Sequence, residues 1–221
     1  MRYPVAEKFK SIQGEGRFTG VPMAFIRLVG CSVGKGICTY CDTDFDVINK
    51  SIGGGKFTAE QLCEWAGDYR HICITGGEPL DRDIKPLIDF LLYRDSRPNN
   101  RTRPIRQRIV HIETSGSVFD EDVLNTEGVW VCVSPKPGWL NSVIHKADEI
   151  KVIYNGLADD DGWPTVKRAI DWAEEGKLVY LQPRNAKFIV DMEGIEAVHD
   201  IVTRNPVLKL SAQMHKFLQV R

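Results

Sequence analysis

The sequence is short of the features that would place a protein in a membrane or on nucleic acid. No apolar run approaches the roughly 20 residues of a bilayer span. The start, Met1-Arg-Tyr-Pro-Val-Ala-Glu-Lys8, lacks the apolar core of a secretory signal. Charge of one sign is missing too: 29 Lys and Arg against 30 Asp and Glu leave a net −1. That removes the bulk electrostatic case for nucleic acid or anionic lipid. No internal repeat and no domain boundary is visible. A cytoplasmic protein of one domain, 1–221, with no membrane partner and no direct nucleic-acid partner, is expected. A chain this long buries roughly 70% of its extended surface on folding.

Six cysteines are present, and in a reducing compartment they argue for metal rather than for a disulfide framework. Three of them, Cys31, Cys38 and Cys41, crowd one short segment with Gly30, Gly34 and Gly36, directly after the apolar run Ala24-Phe-Ile-Arg-Leu-Val29. A structural zinc site closes with four ligands, and no histidine or fourth cysteine lies within twenty residues of the trio. Three thiolates without a fourth point to an iron–sulfur cluster with one iron left open; a chance cluster of thiols or a zinc module is the alternative. Cys63, on a helical pattern, and Cys73 and Cys132, inside strand patterns, read as core.

Residues 3–23, with three glycines in seven positions, read as tight turns, and Ile52-Gly-Gly-Gly55 as a flexible connection. Strands are expected at 24–29, 71–75, 109–113, 129–133, 149–153, 178–182 and 207–212. Helices are expected from the capping box Thr58-Ala-Glu-Gln61, at 83–94, at 165–175 and near 191–204. Alternating strands and helices give an α/β class built on six to seven mostly parallel strands. Polar, turn-forming groups follow six of the seven strands, where β/α barrels assemble their sites. The arginine-rich stretch 94–108 reads as a solvated loop or as a docking patch for an acidic electron-donor protein.

Several residues fit specific chemistry. The pair Gly76-Gly77 lets a backbone approach an open iron, and Glu78 beside it is suited to an ammonium group, together describing a chelating amino acid. Arg27 is the odd residue of an apolar strand, read as pointing opposite to Phe25, and offers a planar fork for a carboxylate. Gln13 and Glu15, flanked by glycines, present acceptors and donors for a ring. His215 reads as a surface histidine or as a site residue.

Taken together these motifs resemble a known family over nearly the whole chain. Phe9-Lys-Ser-Ile-Gln-Gly-Glu-Gly16, Gly20-Val-Pro22, Phe25-Ile-Arg-Leu28, Gly30-Cys31 and Cys41-Asp-Thr43 are similar to 7-carboxy-7-deazaguanine synthases, radical S-adenosylmethionine enzymes of the 7-deazaguanine pathway. Thr75-Gly-Gly-Glu-Pro79, Glu113-Thr-Ser-Gly116, Ser134-Pro-Lys136 and Gln213-Met-His-Lys216 follow in the same order. One departure is the spacing C-x6-C-x2-C in place of the superfamily's C-x3-C-x2-C. Doubling a flexible loop costs only about 0.6 kcal/mol, little against thiolate–iron bonding.

The resemblance implies a partial (β/α) barrel with a reduced helix set. It implies a 4Fe–4S cluster on Cys31, Cys38 and Cys41, S-adenosyl-L-methionine on its open iron, and Mg²⁺ on Thr43. It assigns Tyr40, Gly77, Glu78, Ser115, Ser134, Lys136 and Gln182 to S-adenosylmethionine. It assigns Ile12, Gln13, Gly14, Glu15, Arg27, Thr75, His215 and the carboxylate of Arg221 to the substrate, 6-carboxy-5,6,7,8-tetrahydropterin. No residue beyond cluster and cofactor radical is implied as catalytic. An external flavodoxin- or ferredoxin-like electron donor and a homodimer are implied as partners.

Overall fold

The parallel strands are built from residues that alternate in character, and this alternation divides the protein into a helix-packed outside and a site-bearing inside. The computed structural model describes residues 1–39, 41, 43, 45–93, 107–154, 156, 162–185 and 190–220. Among them one sheet of nine strands is formed: β1 (Tyr3–Ile12), β2 (Pro22–Leu28), β3 (Gly55–Phe57), β4 (His71–Gly76), β5 (Ile109–Thr114), β6 (Val129–Val133), β7 (Glu149–Tyr154), β8 (Val179–Pro183) and β9 (Lys209–Leu210). Their order is β3-β1-β2-β4-β5-β6-β7-β8-β9. From β2 to β9 all neighbours are parallel, whereas β1 runs antiparallel to both β2 and β3. Seven parallel strands in an open, curved arrangement fulfil the expected partial barrel.

Outward residues, among them Ile26 of β2, Ile74 of β4, Ile112 of β5, Val131 of β6, Val152 of β7 and Leu181 of β8, are buried under helices. The helices are α1 (Ala59–Ala66), α2 (Lys85–Leu92), α3 (Glu121–Leu124), α4 (Asn141–Lys146), α5 (Val166–Glu174), α6 (Met192–Arg204) and α7 (Met214–Phe217). They contribute Leu62, Leu87, Leu91, Val123, Val143, Trp172 and Val198 to this core. Each such side chain stabilises the fold by roughly 1.5–3 kcal/mol of burial.

Inward residues follow a different rule. Toward the amino ends of the strands Met23, Phe25 and Cys73 form a small second cluster with Phe9, Phe18 and Val21. His71 Nδ1 and His111 Nε2 meet at 2.9 Å, and Phe18 stands edge-on to His111 and Trp130. Burial, with the neighbouring His71, pushes His111 down to about 3. An uncharged aromatic floor therefore closes one end, and the polar inward residues lie toward the carboxyl ends.

Two strands were absent from the sequence-based expectation. β1 lies where tight turns are expected because its exposed face carries Lys8 and Lys10, which mask the alternation. Both extend over aromatic rings, Lys8 over Phe57 and Trp65, and Lys10 over Trp65 and Tyr69, a use of stem and charge together. A register shift between Val5 and Glu7 further breaks the period. β3 begins at the last glycine of the expected flexible connection.

The arginine-rich stretch also differs. Residues 94–106 lie outside the described residues, and Arg108 is buried, not solvated. It donates to Leu91 O (3.2 Å), to Cys63 Sγ (3.3 Å) and to the Gly67 carbonyl, tying α1 to α2. Among the described residues no helix is long and apolar enough to cross a membrane.

The capping box forms as read: Gln61 N donates to Thr58 Oγ1 (3.2 Å) and Thr58 N to Gln61 Oε1 (2.9 Å). Replacing Thr58 with alanine is expected to cost about 1 kcal/mol, read as a lower urea midpoint with an unchanged slope.

Candidate active site

The cysteine segment leaves β2 and is fastened at its start by groups far away in sequence. Val29 O accepts from Arg82, Gly30 N donates to Phe45 O (3.0 Å), and Ser32 N donates to Asp81 Oδ2 (2.7 Å). Glu78 N donates to Gly30 O (3.1 Å), so the loop after β4 lies directly against the cysteine segment. The glycine pair makes this possible: Gly76 has φ +141°, and a Cβ on Gly77 would overlap the Gly30 carbonyl and Cys31 Cβ. In the lengthened gap, by contrast, Gly34 and Gly36 face open space, and Lys35 pairs with Asp46 at 2.6 Å.

Cys31, Cys38 and Cys41 are half-buried and line one cavity together. Burial pushes the Cys31 and Cys38 thiols above their ordinary range, with Lys136 opposing this at Cys38. Among the described residues no three His, Cys, Asp or Glu side chains converge on a single-ion point. Three thiols on one cavity wall fit the donor set of an iron–sulfur cluster, which cysteine thiolates hold. Cys63, Cys73 and Cys132 are buried, as their patterns imply.

Facing the thiols in the same cavity are Gly77, Ser115, Ser134, Lys136 and Gln182. Lys136 Nζ donates to Ser134 O (2.7 Å) and Oγ (2.6 Å), and burial lowers its ammonium below the usual range. Gln182 Oε1 accepts from Ser211 Oγ at 2.7 Å. A set of hydroxyl, amide and ammonium groups opposite a thiol wall fits S-adenosylmethionine bound beside a cluster.

Glu78 departs from the ammonium-binding expectation. It is fully buried and does not line the cavity. Oε1 accepts from Leu80 N (3.1 Å) and Thr114 Oγ1 (2.7 Å), and Oε2 from Ser115 N (2.7 Å) and Ser115 Oγ. Four donors on one carboxylate make it a clamp joining the loops after β4 and β5.

A second cavity adjoins the first and is lined by Ile12, Gln13, Gly14, Arg27 and His215. Glu15, Thr43, Thr75, Glu113 and Gln213 line both. Arg27 and Phe25 share this cavity, correcting the reading of opposite faces: residues two apart on a strand point the same way. Arg27 Nε pairs with Glu7 at 2.7 Å and Nη1 donates to Thr43 Oγ1 at 3.2 Å. A second lone pair on that hydroxyl is compatible with a Mg²⁺ ion, which takes few protein ligands. Gly14 is packed so tightly under His215 that a Cβ would overlap its ring, and Met214 N donates to Gly14 O (2.9 Å). Tyr40 and Arg221 lie outside the described residues.

Of the residues that no site assignment from the sequence included, Glu113 and Gln213 line both cavities and Lys151 the first alone. Lys151 Nζ reaches Glu15 Oε2 (2.5 Å) and Glu113 Oε2 (2.8 Å). Gln213 Nε2 donates to Glu15 Oε1 (2.7 Å) and Gln13 Nε2 to Glu113 Oε1 (3.2 Å). Burial alone would raise the Glu15 carboxyl, but the Lys151 charge and hydrogen bond, with Gln213, hold it at about 2. Burial opposes the Lys151 charge, yet Cys132, Glu113 and Glu15 raise it well above the usual lysine range. The signal was present in β7, Glu-Ile-Lys-Val-Ile-Tyr, where charged residues occupy alternate positions of a central strand.

Gly77→Ala is expected to lower stability by about 1–3 kcal/mol through forced backbone shifts and to reduce the iron retained after anaerobic reconstitution. Gly36→Ala, with open space around it, is expected to change neither; denaturant midpoints and iron per chain read the difference.

No family model matches the chain. It is 32% identical, over 100% of both proteins, to the 7-carboxy-7-deazaguanine synthase of Escherichia coli (strain K12). It is 30% identical, again over 100% of both, to that of Bradyrhizobium diazoefficiens. The crystal structure of QueE from Escherichia coli matches with a TM-score of 0.70 at 29% identity, covering 97% of this chain and 95% of that one. Full-length similarity of this degree, on a fold with a thiol-lined cavity at the strands' carboxyl ends, settles the relationship: the chain belongs to the 7-carboxy-7-deazaguanine synthase family.

Proposed function

We propose that the chain converts 6-carboxy-5,6,7,8-tetrahydropterin to 7-carboxy-7-deazaguanine, a redox-neutral ring contraction in which one nitrogen leaves as ammonia. The observation that carries this reading is the junction of the two cavities at Glu15, Thr43, Thr75, Glu113 and Gln213. Hydrogen abstraction requires its two partners in contact, and a shared wall between a thiol-lined and a guanidinium-lined cavity provides for that. When bound, a 4Fe–4S cluster with S-adenosylmethionine supplies one-electron cleavage of a sulfonium bond and the hydrogen abstraction that starts the reaction.

The chain's own residues bind and orient. Cys31, Cys38 and Cys41 would hold three irons. Gly77, Ser115, Ser134, Lys136 and Gln182 would hold S-adenosylmethionine, with Glu78 contributing by fixing the Ser115 loop. Arg27, braced by Glu7 and Thr43, would meet the substrate carboxylate, and Gln13, Gly14, Glu15 and Thr75 the ring. Ile12 and His215 would form the far wall, and Thr43 would offer its hydroxyl to Mg²⁺. The reading includes an external low-potential electron donor of flavodoxin or ferredoxin type, a homodimer, one functional unit over 1–221, and a reducing cytoplasm.

Anaerobic incubation with reductant, S-adenosylmethionine, Mg²⁺ and the carboxypterin is expected to yield a product lighter by one ammonia in the mass spectrum. Cys38→Ala is expected to abolish it, while Cys63→Ala, in the core, costs stability only. Unchanged pterin in the complete mixture overturns the reading.

Arg27→Lys keeps the charge and loses the fork. It is expected to raise the carboxypterin KM at least tenfold, about 1.4 kcal/mol, with iron content unchanged. Initial rates across substrate concentration read the change.

A further inference from the structure

Lys151 belongs to none of the binding sets above, yet its ammonium lines the first cavity and contacts Glu15 and Glu113, two residues of the wall the cavities share. We infer that Lys151 is a positioning residue for the reaction, fixing the Glu15 and Glu113 carboxylates at the cavity junction and keeping both as hydrogen-bond acceptors for the substrate's N–H edge. This rests on the proposed function for the identity of the substrate.

The geometry is specific. The Lys151 side chain is 4% exposed, and it bridges a loop after β1 and the strand β5. Each carboxylate is held at both oxygens, one on the ammonium and one on an amide: Glu15 by Lys151 and Gln213, Glu113 by Lys151 and Gln13. Two points fix the plane of each group, so their remaining lone pairs are aimed and not averaged. Four segments distant in sequence meet in this arrangement.

Charge supplies the second part. Two half-buried carboxylates sharing one ammonium would repel in its absence, and without a cation one would take up a proton. A protonated carboxyl donates where the ionised group only accepts, so its role toward a substrate N–H would reverse. Other groups surround the ammonium: Glu149 on its own strand, Cys132 on β6, Cys73 on β4 and Lys136 on the loop after β6, with His215 acting on Glu15 and Arg27 on Cys73. Lys136 shares the sign of Lys151 and acts on Glu15 through its charge alone, its hydrogen bonds going to Ser134. Glu149, whose carboxyl burial raises, takes its hydrogen bonds from Arg17 N (3.1 Å) and Cys132 Sγ (3.7 Å).

The test compares the reconstituted holoenzyme with Lys151→Met and Lys151→Arg. Lys151→Met is expected to retain iron and raise KM about tenfold or more, the loss of one hydrogen bond to a charged group. Its KM is expected to climb as pH falls from about 8 to about 6, where that of the parent stays level; Lys151→Arg is expected to restore most of the loss. A parent-like KM in Lys151→Met, or a loss equal at every pH and not rescued by arginine, overturns the assignment. Infrared difference spectra without substrate provide an independent reading. An additional protonated carboxyl near neutral pH is expected in Lys151→Met, and its disappearance in Lys151→Met/Glu113→Gln. Should Lys151→Met fail to fold, the double variant, relieved of one like charge, is expected to fold; a double variant equally unstable overturns the charge-balancing role. A parent enzyme that leaves the carboxypterin intact overturns the proposed function instead, and the infrared result then decides Lys151 by itself.

Discussion

One buried ammonium between two carboxylates holds the functional half of this protein together. Taking ions out of water costs several kcal/mol each, recovered only when geometry and hydrogen bonding are good. Here they are: Lys151 contacts Glu15 across 136 residues of sequence and Glu113 across 38, and two amides complete the acceptors. The contact draws the Gln13–Gly16 loop onto the inner face of the sheet. That loop then becomes a wall of both cavities, with Gly16 N donating to Ser211 Oγ (3.1 Å) and Arg17 N to Glu149. Remove the cation and the loop keeps its carboxylate in a place that repels it.

The thiol wall has a different support. Its first cysteine is fixed by a backbone-to-backbone approach that only glycine at position 77 allows, and by Asp81 and Arg82 from the turn beyond. Glu78, with four donors, locks that turn to Thr114 and Ser115. Beyond Ser32, the segment between Cys31 and Cys38 makes none of these contacts, and Gly34 and Gly36 have open space around them. This is why a wider first spacing is compatible with three thiols lining one cavity.

Much of the molecule was legible because local chemistry and fold agree. The capping box at Thr58, the apolar faces of the helices and the alternating central strands appeared where the pattern placed them. Among the described residues gathered by resemblance, all but Glu78 line two adjoining cavities. What failed to show had identifiable reasons. β1 hides behind lysines whose stems cover aromatic rings. Arg108 reads as loop charge until its carbonyl partners are known. Glu78 looks like a ligand-binding acid beside a glycine pair, and only the three-dimensional neighbours reveal that its lone pairs are committed. Lys151 had only the alternation with Glu149 along a central strand to mark it, since both of its ion-pair partners come from another strand and a loop.

The strict alternation of inward and outward residues also separates two kinds of evolutionary freedom. On β5, His111 joins the aromatic floor and Glu113 faces the site while Val110 and Ile112 pack the helices; on β7, Lys151 and Ile153 face in while Ile150 and Val152 face out. Substitutions at the inward set act first on the site's polar contacts, and those at the outward set on the packing of the helices. A combinatorial library confined to the inward positions, with Lys151 and Glu113 kept, thus samples new chemistry over a helix-packed core that it does not touch.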